Sequence, residues 1–304
     1  MNRTKISGLK NKNNKLETPV LFLIFNRLDT TKQVFEEIRK AKPKKLFIAA
    51  DGPRDKKEKQ KTDAVRKYVL DNIDWECSVK KLFRGENFGC KKQTIEAINW
   101  FFQNVEQGII LEDDVSPSQD LFRFHEELLE KYKNEDRVKA ICGVNFFGEY
   151  KTGYSYLFSR IFFSSWGFST WRRAWNYNSD KVKQKIGPRD RISPYRIHDI
   201  ILKKKLKDSF SGKISSWAYL FNAQNIIEKS LIIVPSKNLA KSIGFTEDST
   251  HKTNKIDQRF LEVETKKIKF PLKHPQKIQA DKRFDKKIVF WVFKKILMKK
   301  LIIF

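Results

Sequence analysis

Apolar and polar positions alternate in blocks along the first half of the chain. PVLFLIFN (19–26) is an unbroken apolar run that ends on a polar residue. TTKQVFEEIRK (30–40) then places Val34, Phe35 and Ile38 on one helical face, behind a start signal at Asp29–Thr30. KLFIAAD (45–51) predicts a second strand, closed by Asp51 before Gly-Pro. Residues 56–72 form a charged helix with Val65, Tyr68 and Val69 inward, and CSVKKLFR (77–84) a third strand. QTIEAINWFFQ (93–103) is a helix with an apolar stripe, GIILEDD (108–114) a fourth strand, DLFRFHEELLEKY (120–132) another amphipathic helix, and VKAICGVN (138–145) a fifth strand.

Strands apolar on both faces, alternating with amphipathic helices, predict an α/β fold with a mostly parallel sheet and helices on both sides. In such sheets ligands bind beyond the carboxyl ends of the strands. Asn26–Arg27, Asp51 and Glu112–Asp114 all stand at such ends, so they are expected to converge on one cleft. The second half is less regular, with an aromatic stretch FFSSWGFSTWRRAW (162–175) and a basic helix near ILKKKLK (201–207). No internal repeat is visible.

The chain has 304 residues, 40% of them apolar and 33% charged, which suits a soluble globular protein with a sizeable core. The formal charge of +27 admits a nucleic acid, an anionic lipid, a phosphorylated substrate, or no partner at all. Cys77, Cys90 and Cys142 are widely spaced and form no CxxC pair; they read as reduced core thiols. The first seventeen residues are polar and basic, with no apolar h-region, so no signal peptide is read, and no segment reads as a spanning helix.

Against this charge, three successive acids, Glu112, Asp113 and Asp114, follow an apolar strand. Adjacent carboxylates raise one another's pKa unless a cation sits among them. On an extended chain Glu112 and Asp114 point to one side and Asp113 to the other, so one carboxylate can hold a hard cation while a neighbour accepts a hydroxyl. A helix start accounts for one or two of these acids, but not readily for three.

ILEDDVSPS before an amphipathic helix resembles the acidic metal motif of GT-A (Rossmann-like) glycosyltransferases. VLFLIFNRLDTTKQVFEEI, IAADGPR, RGENFGC, SSWGFSTWRRAW and SIGFTEDSTHK resemble landmarks of a bacterial sugar-transferase family, similar in turn to the N-acetylglucosaminyltransferase that begins complex N-glycans. The resemblance covers roughly residues 18–252. It implies a metal-dependent hexosyltransferase that moves a sugar, with inversion, from a nucleotide-diphosphate donor, expected to be UDP-linked. The implied acceptor is a glycan or lipid-linked oligosaccharide in cell-surface polysaccharide synthesis. Asp114 would ligate Mn²⁺ or Mg²⁺, with His251 as a second metal ligand. Glu112 and Asp113 would contact the nucleoside or sugar, Arg27 the phosphates and Asp51 the base. Asn87 and Gly89 would line the donor loop before the helix at 93–103. Trp166, Trp171 and Trp217 are expected on the acceptor side; for Trp166 and Trp171, core packing is the competing reading.

An inverting transfer needs a base for the acceptor hydroxyl. The resemblance places an Asp beside Trp217, but the chain there reads Ser215, Ser216, Trp217, Ala218. Asp208, Glu247 and Asp248 are the nearest carboxylates, and Asp248 or Glu247 is the expected base. Two alternatives to an active transferase stand: a basic RNA- or polyanion-binding protein without chemistry, and an inactive sugar-nucleotide binder. The acids at strand ends and the lack of an RNP, KH or zinc-knuckle pattern speak against nucleic acid.

The expected organisation is a polar arm (1–17), the transferase domain with an irregular acceptor-side half (18–252), and a basic tail (253–304). From Lys266 onward the tail carries thirteen Lys/Arg against two acids. Its last seventeen residues hold thirteen apolar residues and four lysines, a composition expected of an amphipathic helix on the anionic inner face of the cell membrane. A terminal helix packed on the core is the competing reading.

Overall fold

The computed structural model describes residues 15–162, 164–175, 179–187, 190–244 and 263–301. In chain order the elements are β1 (Val20–Ile24), α1 (Leu28–Ala41), β2 (Lys45–Ala50), α2 (Lys56–Asp71), β3 (Ser78–Phe83), α3 (Cys90–Asn104), β4 (Gln107–Glu112), β5 (Val115–Pro117), α4 (Gln119–Lys131) and β6 (Val138–Ile141). There follow β7 (Tyr156–Ser159), β8 (Phe168–Trp171), α5 (Ser179–Lys183), α6 (Arg196–Phe210), α7 (Ala218–Ile227), β9 (Leu231–Pro235), β10 (Ala240–Ser242) and α8 (Lys282–Leu301).

Among the described residues, eight strands form one sheet in the order β3-β2-β1-β4-β8-β6-β9-β7, and β5 and β10 pair as a separate antiparallel ribbon. β3, β2, β1 and β4 are mutually parallel. β8 runs antiparallel between β4 and β6, and β7 antiparallel beside β9. The expected α/β architecture, mostly parallel with helices on both faces, is present.

Alternation along each strand feeds two cores. Val20, Phe22, Leu46, Ile48, Ile109 and Leu111 pack with α1, α2 and α4. Leu21, Phe47, Ala49 and Ile110 face the other way, onto α3 and α7. α2 starts on Asp55, whose side chain accepts the Glu58 amide at 2.7 Å, while Glu58 accepts the Arg54 amide at 2.7 Å.

The fifth predicted strand, β6, is separated from β4 by β8, which is cut from the aromatic stretch. The polar arm is not wholly outside, because Leu16 is buried in the main core and its amide bonds the Ala41 carbonyl. The C-terminal stretch is no free appendage either. Ile268 and Leu272 join the main core, and Phe284, Ile288 and Val289 of α8 pack on Leu157, Ile161 and Val234. Of the thiols, Cys142 is buried, Cys77 half-buried and Cys90 exposed, so the reading of all three as core residues is corrected at Cys90.

Candidate functional site

The chain passes from β1 out to β2 and β3, then returns to place β4 on the other flank of β1. That reversal opens a crevice between the carboxyl ends of β1 and β4, the place where open parallel sheets take their ligands. Ile24 is in register with Ala50, and Leu23 with Glu112. Residues 25–27, 51 and 112–114 therefore emerge at one edge.

Arg27 sits among the acids. Its Nη2 donates to Asp113 Oδ1 at 3.1 Å and Asp114 Oδ2 at 3.0 Å. Asp113 Oδ2 also accepts the Phe25 amide at 2.9 Å, and Asp113 is only 3% exposed. Glu112 takes a different partner, the Ser165 hydroxyl at 3.5 Å. Burial, then repulsion from Asp114 and Asp113, pushes the Glu112 carboxyl up to about 8, with Arg27 opposing. Burial pushes Asp113 up to about 6 against the pull of Arg27. One guanidinium thus bonds two of three clustered carboxylates, and a divalent cation would favour the ionised form of the third.

The site fits a hard cation held by one or two protein carboxylates, since such ions keep places for water and phosphate oxygens. Asp114 and Glu112 are the oxygen donors at hand. No cluster of three or more His, Cys, Asp or Glu suited to a metal occurs among the described residues. The backbone of Gly244 lies against Asp114, and a Cβ there would stand 2.4 Å from Oδ2. The Ile243 amide donates to the Asp114 carbonyl at 2.8 Å. The β5–β10 ribbon therefore brings residues 242–244 to Asp114. His251, Glu247 and Asp248 lie outside the described residues.

Asp51 and the loop at residues 86–89 form a second unit. Asp51 Oδ1 accepts the Gly52 and Phe88 amides, and Oδ2 the Gly89 amide, each at 2.9 Å. The Asn87 side chain donates to the Gly52 carbonyl at 2.7 Å. Gly52 is required for this closure, because a Cβ would lie 2.3 Å from the Glu86 backbone. Arg66 donates to the carbonyls of Asp51 and Arg84, tying α2 to both segments. Asp51, Asn87 and Gly89 thus meet in one loop, and the Asp51 carboxylate, expected to contact a base, is spent on holding that loop closed. Cys90 follows this loop at the start of α3, with its side chain open to solvent.

The tryptophans separate. Trp166 follows Ser165, the partner of Glu112, is half-buried, and meets Phe146 edge-on at 5.4 Å. Trp171 pairs with Gln107 at the amino end of β4, so it lies at the opposite end of the sheet from the acids. It is buried, and its indole donates to the Leu129 carbonyl at 3.1 Å. Trp217 is buried among Phe162, Phe168, Trp175 and Phe221. The acceptor-side expectation is therefore corrected to core packing for Trp171 and Trp217. Ser215 remains at the rim, its hydroxyl accepting the Lys91 amide at the start of α3 at 3.3 Å.

Sequence reasoning missed Ser165, Gly52, Gly244 and Arg66. Gly52 and Gly244 did carry a signal, each being a glycine beside a motif at a strand or ribbon end in a chain with only twelve glycines. Ser165 and Arg66 carried none.

No protein-family model matches the sequence, and a search of curated proteins finds no match. Solved structures with similarity include HddC from Yersinia pseudotuberculosis, at 10% identity over 41% of this chain and 56% of that one, with a TM-score of 0.29. They also include the mannosyltransferase PcManGT from Pyrobaculum calidifontis in complex with GDP-Man and Mn2+, at 11% identity over 69% of this chain and 70% of that one, with a TM-score of 0.38. The chain spans little more than half the length of the first.

Proposed function

We propose that the chain is a metal-dependent glycosyltransferase that moves a sugar from a nucleotide-diphosphate donor, UDP-linked, to a glycan or lipid-linked acceptor with inversion, in cell-surface polysaccharide synthesis. The observation that carries this reading is the convergence of three carboxylates and Arg27 at the β1/β4 crevice, flanked by a loop that Asp51 holds closed. Asp114 and Glu112 would hold Mn²⁺ or Mg²⁺. When bound, that cation supplies positive charge for the departing diphosphate.

The chain's own residues do the rest. Arg27 presents a second positive charge at the end of β1, shared with Asp113 and available to the phosphates. Asp113, held by the Phe25 amide and Arg27, keeps the turn after β4 in place. The backbone of residues 87–89, fixed by Asp51, walls the donor side. Trp166, next to Ser165, offers an aromatic face on the acceptor side. The base is assigned to Asp248 or Glu247, because Ile243 and Gly244 rest on Asp114 and lead into that stretch. His251 of the same stretch is assigned as a further metal ligand.

Calorimetric titration of UDP, with and without Mn²⁺, on the wild type and on Asp114→Ala tests the reading. Metal-dependent binding that disappears in the variant is expected. Binding that ignores both the metal and the substitution would sink it. For the base, Asp248→Asn and Glu247→Gln are compared in donor turnover; wild-type rates in both refute that assignment.

A further inference from the structure

Four large apolar side chains stand exposed among the described residues: Ile197 (44%), Ile200 (61%), Phe290 (65%) and Leu297 (45%). They fall on two helices, α6 and α8, which pack against each other. Tyr195, at the start of α6, joins the cluster that Phe284, Ile288 and Val289 of α8 build on the sheet edge.

Each helix shows one outward stripe. On α6 the exposed positions recur at helical spacing as Ile197, Ile200, Lys204 and Lys207, extended by Arg196. On α8 they are Arg283, Lys286, Lys287, Phe290, Lys294 and Leu297. Neither stripe carries an acid. Asp199 and Asp285 are buried, each accepting hydrogen bonds from its own surroundings, and Asp208 is half-buried. Two adjacent helices that expose only cations and large apolar groups match the chemistry of a bilayer surface with anionic headgroups. No helix of the described residues is long and apolar enough to cross a membrane, which is consistent with a surface that lies on the bilayer.

The same helix is joined to the site. Trp291 of α8 stacks on Phe146 at 4.9 Å with an interplanar angle of 10°, and Phe146 meets Trp166 beside the partner of Glu112. A chain of three rings therefore runs from α8 to the acceptor side of the acids.

We propose that α6 and α8 together form a docking surface for an anionic lipid bilayer, inserting Ile197, Ile200, Phe290 and Leu297 and setting the cleft at the membrane. This surface takes in a helix from the middle of the chain, not the C-terminal tail alone. It stands independently of the donor reading, because lipid binding is measured without nucleotide or metal.

Truncating the tail is a poor test, since α8 contributes Ile288 and Val289 to the core. The full chain is instead compared with Ile197→Ser/Ile200→Ser and with Phe290→Ser/Leu297→Ser. All four positions are exposed, and circular dichroism checks that each variant is folded. Co-sedimentation uses vesicles of phosphatidylcholine alone and of phosphatidylcholine mixed with phosphatidylglycerol. The wild type is expected to prefer the mixed vesicles, less so at high salt, and each double variant to bind roughly tenfold more weakly. Wild-type binding by the α6 variant would overturn the two-helix surface. So would equal binding to neutral vesicles, or binding of single-stranded RNA with none to vesicles. A wild-type dimer in sedimentation velocity that both variants dissolve would assign the patch to a second copy of the chain and overturn the proposal as well.

Discussion

Arg27→Met removes the cation that touches two of the three acids while keeping much of its apolar stem. Breaking a buried ion pair by deleting one partner costs about 3–5 kcal/mol, because a charge is left buried and unpaired. Asp113 is nearly sealed, but the Arg27 and Asp114 side chains are 19% and 22% exposed, so water recovers part of that cost. The lower end, about 3 kcal/mol, is expected where the acids are ionised. The pH dependence follows from the same geometry. Glu112 and Asp113 are pushed up to about 8 and about 6, so the folded chain keeps protons that the unfolded chain has already released. Stability therefore falls as pH rises from the ordinary carboxylate range toward about 8. Without Arg27 both groups move higher still, so in the variant the loss of stability continues to higher pH. Urea denaturation of both proteins followed by circular dichroism at about pH 5 and about pH 8.5 measures the gap. It should be smaller at the lower pH, where Glu112 and Asp113 are mostly protonated and the Arg27–Asp114 pair alone is lost, and larger at the higher. A gap of the same size at both values would show that Arg27 acts by packing, and no gap at either would refute the charge argument.

Asp51→Asn removes the charge that accepts three backbone amides and should cost about 2–3 kcal/mol. Hydrogen exchange at Phe88 and Gly89 should speed up in that variant, and unchanged protection there would count against the loop-holding role. Gly52→Ala forces a Cβ into the Glu86 backbone and should destabilise by about 1–3 kcal/mol in a thermal melt, an effect absent if the loop simply moves aside. Trp171→Phe strands the Leu129 carbonyl at the far end of the sheet; a loss of about 1–3 kcal/mol with unaltered UDP affinity is expected, and altered affinity at unchanged stability would return Trp171 to the site.

Much of the α/β half was legible in the order of residues. Strand and helix periods are set by the backbone over a few residues, so the runs at 19–26, 45–51 and 108–114 and the stripes of α1, α3 and α4 could be read locally. Because parallel strands align their carboxyl ends, the meeting of residues 25–27, 51 and 112–114 at one edge followed from that reading. What local patterns could not specify is which groups finally touch. FSTW reads as one aromatic stretch with SSWGF, yet pairing with β4 and β6 sends Trp171 to one end of the sheet and leaves Trp166 near the acids. The Asp51 carboxylate goes to its own loop because residues 88 and 89 return within 2.9 Å of it. Arg27 settles between Asp113 and Asp114 because β1 and β4 are neighbours although 86 residues separate Arg27 from Asp113. The lysines and apolar residues of α6 and α8 are equally visible in the chain, but only tertiary packing buries Asp199 and Asp285 and brings the two helices into contact. Short-range periodicity is a property of the backbone, whereas the choice among distant partners depends on which surfaces the folded chain brings into contact.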